Sequence, residues 1–166
     1  MTLNAGAHIP IRRNNGANCM QPRTPAGRLV VAFGDVEKMQ SLYAPQIAWF
    51  LPASLPYPRP IAGKDAVVSF NRAVWSVSYF ADCSMRILDE VGDQGLSAVR
   101  FIYRARFRET GGPYENEYTL FARSGAHGIT EVFEAMDSLA VLDQLGGEVP
   151  GAAFARFRQA RANSSL

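Results

Sequence analysis

Cysteine, histidine and charge are all scarce in this chain. Its 166 residues hold two cysteines and two histidines. Cys19 and Cys83 lie far apart with no C-x-x-C spacing, so a structural zinc site is not expected. Cysteine usage this sparse is that of a protein kept in a reducing compartment, and a cytoplasmic location is expected. Charged residues make up 19% of the chain, with a formal net charge of +2 and no run of Lys or Arg, which argues against a nucleic-acid partner. No apolar run approaches the roughly 20 residues needed to span a bilayer, so no membrane partner is expected. Residues 1 to 22 carry Arg12 and Arg13 but no apolar stretch, so no secretory signal is expected there. The turn glycines do not have phosphate-loop spacing.

What the chain does have is apolar residues, at 48%, enough for one domain with a real core. The first 23 residues are rich in Asn, Gly, Arg and Pro without a period and read as an arm, either disordered or laid over a neighbouring subunit. Thr24-Pro25 is an N-cap followed by proline at the first helical position, and Leu29, Val30 and Phe33 supply an apolar stripe. Gly34-Asp35 stops that helix and caps a second, in which Val36, Met39 and Tyr43 recur at helical spacing and which Pro45 is expected to end. Gln46 to Leu51 reads as a strand, and the proline-rich stretch from Pro52 to Pro60 as a stiff loop. Gly63-Lys64-Asp65-Ala66-Val67 opens a third helix with Val67, Phe70, Val74 and Val77 as its stripe and Trp75 alongside.

The second half alternates. Asp82 to Val91 places Cys83, Met85, Ile87 and Val91 on one side. Leu96 to Arg108 sets Val99, Phe101, Tyr103, Ala105 and Phe107 against Arg100, Arg104, Arg106 and Arg108, as a half-buried antiparallel strand does. Two more strands, Tyr114 to Arg123 and Ile129 to Met136, meet around Gly125-Ala126-His127-Gly128. A short helix, Ser138 to Leu145, stops at Gly146-Gly147, and the tail from 148 to 166 has room for one more helix around Phe154. The expected fold is α+β: a conical, curved, antiparallel-rich sheet covered by three N-terminal helices, with a pocket at its wide end.

This order of elements resembles the nuclear transport factor 2-like superfamily, in its SnoaL-like branch, over residues 24 to 147. The likeness is carried by Gly63 to Val67, by Tyr114-Glu-Asn-Glu-Tyr118, and by the stretch from Gly128-Ile129 through Asp137 to Gln144-Leu145-Gly146. The end of the chain resembles the phenazine-biosynthesis A/B proteins. The stretch from Glu109 to Ile129 resembles its counterpart in limonene epoxide hydrolase in length, and the Asp143-Gln144-Leu145-Gly146 ending is similar to that of the polyketide cyclases. The resemblance implies acid/base chemistry in an apolar cavity, with no cofactor and no metal, and a homodimer formed through the convex sheet face, where Ile102 and Leu120 are expected.

Most of the family's functional groups do not carry over. Leu51 stands where the ketosteroid isomerases carry their general-base Asp. Thr119 stands at their oxyanion-hole Asp and at the polyketide cyclases' base. Gly27 or Arg28 stands near the isomerases' helix-one Tyr, and Cys83 near the phenazine proteins' His. Phe101 and Tyr103 replace the Arg and Asp of the epoxide hydrolases. One acid remains: Glu134 aligns with the last-strand carboxylate of the epoxide hydrolases and with the corresponding Glu of the phenazine proteins.

Glu134 belongs to the set Thr130, Val132, Glu134 and Met136, which one strand register turns inward; the other register would turn Ile129, Phe133 and Ala135 inward instead. Desolvation in an apolar pocket would raise its pKa toward neutrality, the range that suits proton transfer. Tyr103 is the second candidate catalytic group, to steady developing charge or to orient Glu134. Trp49, Leu51, Phe101, Thr119, Val132 and Met136 are the expected substrate-binding wall. His127, in a turn without a paired acid, is a weak candidate, and Asp65 reads as a helix-start carboxylate. Two functions stay open: a lyase, isomerase, dehydratase or cyclase acting on a small apolar, oxygenated, aromatic or polycyclic molecule, and a non-catalytic ligand-binding or oligomerisation module.

Overall fold

The structure, a computed structural model, describes residues 21–55, 57–75, 83–108 and 111–145. The expected arm up to residue 20 and the tail from 148 to 166 lie outside the described residues, as do Val77 of the third helix and Asp82 at the start of the following strand.

Local signals start the first two helices. Thr24 caps α1 (Pro25–Val31) by accepting from the Gly27 amide, with proline in the first turn. Asp35 caps α2 (Val36–Ser41) by accepting from the Lys38 amide. The expected end of α2 is corrected here: it stops at Ser41, and Tyr43 opens strand β1 (Tyr43–Phe50) with Pro45 inside it. Proline is tolerated because the pairing of β1 with the last strand shifts between Tyr43 and Ala48, and the bulged stretch asks no ladder hydrogen bond of residue 45.

The remaining elements are β2 (Ile61–Ala62), α3 (Lys64–Ala73), β3 (Ser84–Gly92), β4 (Leu96–Arg106), β5 (Pro113–Gly125), β6 (Gly128–Met136) and α4 (Ser138–Leu145). They form one six-stranded sheet in the order β2-β1-β6-β5-β4-β3. β1 runs parallel to β6 and every other neighbouring pair is antiparallel. This is the expected α+β architecture, a curved and unclosed sheet. Helix α1 packs against β3, β4 and β5, and α3 against β1 and β2. The core lies between these helices and the inner sheet face, where Leu29, Met39, Ile47, Trp49, Phe101 and Leu120 are fully buried. Each such side chain contributes roughly 1.5–3 kcal/mol of burial.

A second bulge corrects the expected face of β3. The register against β4 shifts between Ile87 and Asp89. Val91 therefore turns outward, 63% exposed, and Glu90 turns inward at 7%. Glu90 Oε1 accepts from the Arg23 amide at 2.8 Å and from the Thr24 amide and hydroxyl, both at 2.7 Å. Burial alone would raise this carboxyl, but the hydroxyl and amide donors of Thr24 and the Arg23 amide outweigh it and hold it below its ordinary value. The same carboxylate explains Gly27, since a Cβ there would lie 2.3 Å from Oε1.

The outer sheet face also differs from expectation. Leu120 is fully buried on the inner side and is absent from the convex face. In its place one cross-strand row runs Val91, Ala98, Phe121, Phe133, Phe50. Phe50 and Phe133 stack with ring centroids 4.3 Å apart. Around this row Arg100 pairs with Asp89 and Glu117, and Arg123 with Glu131, so the arginines do lie on the surface opposite the inner aromatics.

Candidate functional site

Strand register decides which candidates share the inner face. Trp49 sits opposite Val132, Glu134 opposite the buried Leu120, and Met136 opposite the buried Tyr118. Phe101 pairs with Tyr118 and Tyr103 with Asn116, both buried. Trp49, Phe101, Tyr103, Val132, Glu134 and Met136 thus share one side of the sheet, and Leu51 is buried where β1 ends. Thr119 does not join them: it lies between Tyr118 and Leu120, hence on the opposite face, where it pairs with Arg100. Of the two registers open for β6, the one with Val132, Glu134 and Met136 inward is observed. At the strand's start a bulge at Thr130 buries Ile129 instead.

Glu134 is half-buried, and its Oε2 accepts the indole N–H of Trp49 at 2.8 Å. Loss of water around the carboxylate pushes its pKa from the ordinary 4.5 up to about 7, against the opposing hydrogen bond from Trp49. A carboxyl poised there both accepts and returns a proton near neutral pH. Trp49 also meets Tyr43 edge-on, with ring centroids 6.1 Å apart. The Tyr43 hydroxyl accepts from Asn71 Nδ2 at 2.7 Å. Its pKa is raised, first by burial and to a lesser extent by the nearby Glu134 charge.

Tyr103 is held elsewhere. Its hydroxyl accepts from the Trp75 indole at 3.0 Å, and among the described residues no hydrogen bond joins it to Glu134. The expectation that Tyr103 orients Glu134 is therefore corrected: Trp49, expected to serve only as wall, makes that contact. Tyr103 packs edge-on against Phe33, Tyr114 and Tyr118. Tyr114 and Tyr118 share a hydroxyl contact of 2.6 Å, and Asn116 donates to Tyr114 and to the Asp137 carbonyl. The inner face therefore carries a graded surface, with a carboxylate and indole on β6 and β1 and an aromatic, hydroxyl-bearing wall on β4 and β5.

The SnoaL-like domain model matches residues 30–132, well over half of the chain. The chain belongs to the SnoaL-like family. Among solved structures, IdmH of Streptomyces antibioticus, a candidate polyketide cyclase, is similar at 27% identity, covering 74% of this chain and 96% of its own with a TM-score of 0.54. A candidate polyketide cyclase from Xanthomonas campestris matches at 18% identity over 74% and 94% of the two chains, with a TM-score of 0.63. An NTF2-like protein of unknown function from Burkholderia pseudomallei matches at 18% identity over 80% and 100%, with a TM-score of 0.63. No curated protein matches the chain.

In this SnoaL-like chain Glu134 falls just beyond the segment matched to the family model. Core-facing polar groups that are not among the candidates from sequence include Tyr43, Asn71, Asn116 and the indole N–H of Trp75. Asn71 follows Val67 by four residues and precedes Trp75 by four, so helical spacing alone marks it as inward. His127 lies in the β5–β6 turn, on a groove of about 350 Å³ shared with Arg28, Gln94 and Ser124; neither Glu134 nor Trp49 borders it. Among the described residues no three His, Cys, Asp or Glu side chains are grouped to hold a metal, and no helix is long and apolar enough to cross a membrane.

Proposed function

We propose that this protein is a cofactor-independent acid/base enzyme, in which Glu134 transfers a proton on a small, apolar, oxygenated aromatic or polycyclic molecule. The observation that carries the reading is the Glu134 carboxyl, raised to about 7 on an aromatic inner face and aimed by the Trp49 indole. In its ionised form Glu134 takes a proton from a carbon beside a carbonyl; the electrons of that C–H bond move onto the carbonyl oxygen as an enolate. The protonated Glu134 then returns the proton to carbon or to a leaving oxygen. Tyr103, whose hydroxyl accepts from Trp75, is the second group in this reading and steadies the developing oxyanion. Family membership and the similarity to two candidate polyketide cyclases support chemistry of this class.

Exchange of carbonyl-adjacent protons in D2O, followed by NMR on bicyclic aromatic ketones such as 2-tetralone, tests the reading without a known substrate. Catalysed exchange that falls roughly 10²-fold or more in Glu134→Gln is expected. Undiminished exchange in a folded Glu134→Gln protein would overturn it.

We also propose a homodimer. The row Val91, Phe121, Phe133 and Phe50 supports this reading, with Val91, Phe121 and Phe133 exposed by 63%, 45% and 39%. Ringed by ion pairs, such a patch suits a self-complementary interface of roughly 1,200–2,000 Å².

A further inference from the structure

Buried polar groups are almost always paired, so an inner-face pair that falls one partner short marks what it is built to receive. Asn71 is 0% exposed and Tyr43 2%. Asn71 Nδ2 donates to the Tyr43 hydroxyl at 2.7 Å, while Asn71 Oδ1 is enclosed with no hydrogen-bond partner. The Tyr43 oxygen is an acceptor in this bond, so its own proton needs an acceptor, and it donates to none of the described residues. With the Asn71 amide turned over, Tyr43 would donate to Oδ1 and the Nδ2 N–H bonds would take the place of the unpartnered Oδ1; a hydroxyl oxygen can accept there, so it serves the pair in either placement. Left unmet, the deficit costs about 1–3 kcal/mol.

As placed, the pair leaves Asn71 Oδ1 as an acceptor and the Tyr43 O–H as a donor, beside the second N–H of Asn71 Nδ2. A ketone meets only the donors, and an ammonium only the acceptor. A hydroxyl meets both, donating to Asn71 Oδ1 and accepting from Tyr43. The pair also sits beside the proposed chemistry. The Tyr43 ring touches Trp49, which holds Glu134, and the Glu134 charge is felt at the Tyr43 hydroxyl. Asn71 lies one helical turn before Trp75, whose indole binds Tyr103.

We propose that Tyr43 and Asn71 form a hydroxyl-binding subsite, which selects ligands that carry an alcohol or phenol group. The inference deepens the Glu134 reading and rests on it for the location of the ligand. A water molecule shares the required chemistry, so the test must separate water from a ligand hydroxyl.

Binding of matched pairs, phenol against fluorobenzene and 2-naphthol against 2-fluoronaphthalene, can be followed by ligand-observed NMR at millimolar concentration. The intact protein is expected to prefer the hydroxylated member by about 10-fold or more. The double variant Tyr43→Phe/Asn71→Leu removes both polar groups at nearly constant volume; it should fold with stability equal to or above that of the parent and lose the preference to within about twofold. Tyr43→Phe alone serves as a second variant and should lose most of it. Equal binding of both pair members by the intact protein, as expected if only water occupies the subsite, would overturn the proposal. So would binding of neither pair, or a preference that survives the double variant. Glu134→Gln keeps the bond from Trp49 and should keep the hydroxyl preference. Loss of exchange in that variant with no hydroxyl preference in the parent defeats this inference alone; a preference without Glu134-dependent exchange defeats only the acid/base reading.

Discussion

Replacing Glu134 with glutamine should stabilise the protein in a way that depends on pH, and this requires no substrate. The carboxyl is raised from 4.5 to about 7 in the folded chain, chiefly by desolvation. Between those values the folded state holds a proton that the unfolded state has released, so stability falls as pH rises from about 4.5 through 7. A difference of about 2.5 pH units corresponds to roughly 3 kcal/mol once both states are ionised. Partial solvent access at this half-buried group trims that figure to about 1–3 kcal/mol. Glutamine mimics the protonated acid and still accepts from Trp49, so it escapes the penalty. Urea unfolding of parent and Glu134→Gln should differ by about 1–3 kcal/mol at pH 8, with the variant the more stable, and by less than about 1 kcal/mol at pH 5. All other titrating groups are common to both proteins and cancel in the difference. A gap that is flat in pH, or a variant less stable at pH 8, would refute the claim that Glu134 is desolvated.

Trp49→Phe removes a hydrogen bond that opposes desolvation at Glu134, so the pH dependence of exchange or stability should move to higher pH; an unchanged profile would count against that bond. Gly27→Ala drives a Cβ into the Glu90 carboxylate and should cost about 1–3 kcal/mol in thermal or urea unfolding. Glu90→Gln weakens the acceptor shared by Arg23 and Thr24 and should cost about 1–3 kcal/mol near neutral pH. Because the Glu90 carboxyl is held below its ordinary value, that cost should fade as acid protonates the parent. Sedimentation should give twice the 18.2 kDa chain mass at micromolar concentration, and Phe121→Arg with Phe133→Arg should return the monomer; a monomeric parent would remove the dimer.

The parts of the fold that were legible in sequence depend on neighbours in the chain. Thr24-Pro25 and Gly34-Asp35 place two helix starts because a cap bonds three residues ahead. The unbroken alternation of β4 puts Phe101 and Tyr103 inward without knowledge of any partner strand. The errors cluster at bulges, where one extra residue turns every later side chain over. This happens at Tyr43 to Ala48, where a strand residue keeps helical spacing, and at Ile87 to Asp89, where Val91 and Glu90 exchange faces. Thr119 was placed inward by alignment with relatives, against the alternation of Tyr118, Leu120 and Ala122. Glu134 is singled out by alignment with two relatives, since alternation alone leaves both registers of its strand open; the even pairing from Glu131 to Met136 then puts it inward. Its partner Trp49 lies 85 residues away, and Asn71 lies 28 from Tyr43; pairings of that range leave no local trace.

The most direct measurement is the pKa of Glu134 itself, read by NMR from the side-chain carboxyl of protein labelled with 13C-glutamate and assigned by the resonance missing in Glu134→Gln. The account requires a midpoint near 7, moving higher in Trp49→Phe. A midpoint near the ordinary glutamate value of about 4.3 would show a solvated side chain and contradict the proposed proton transfer.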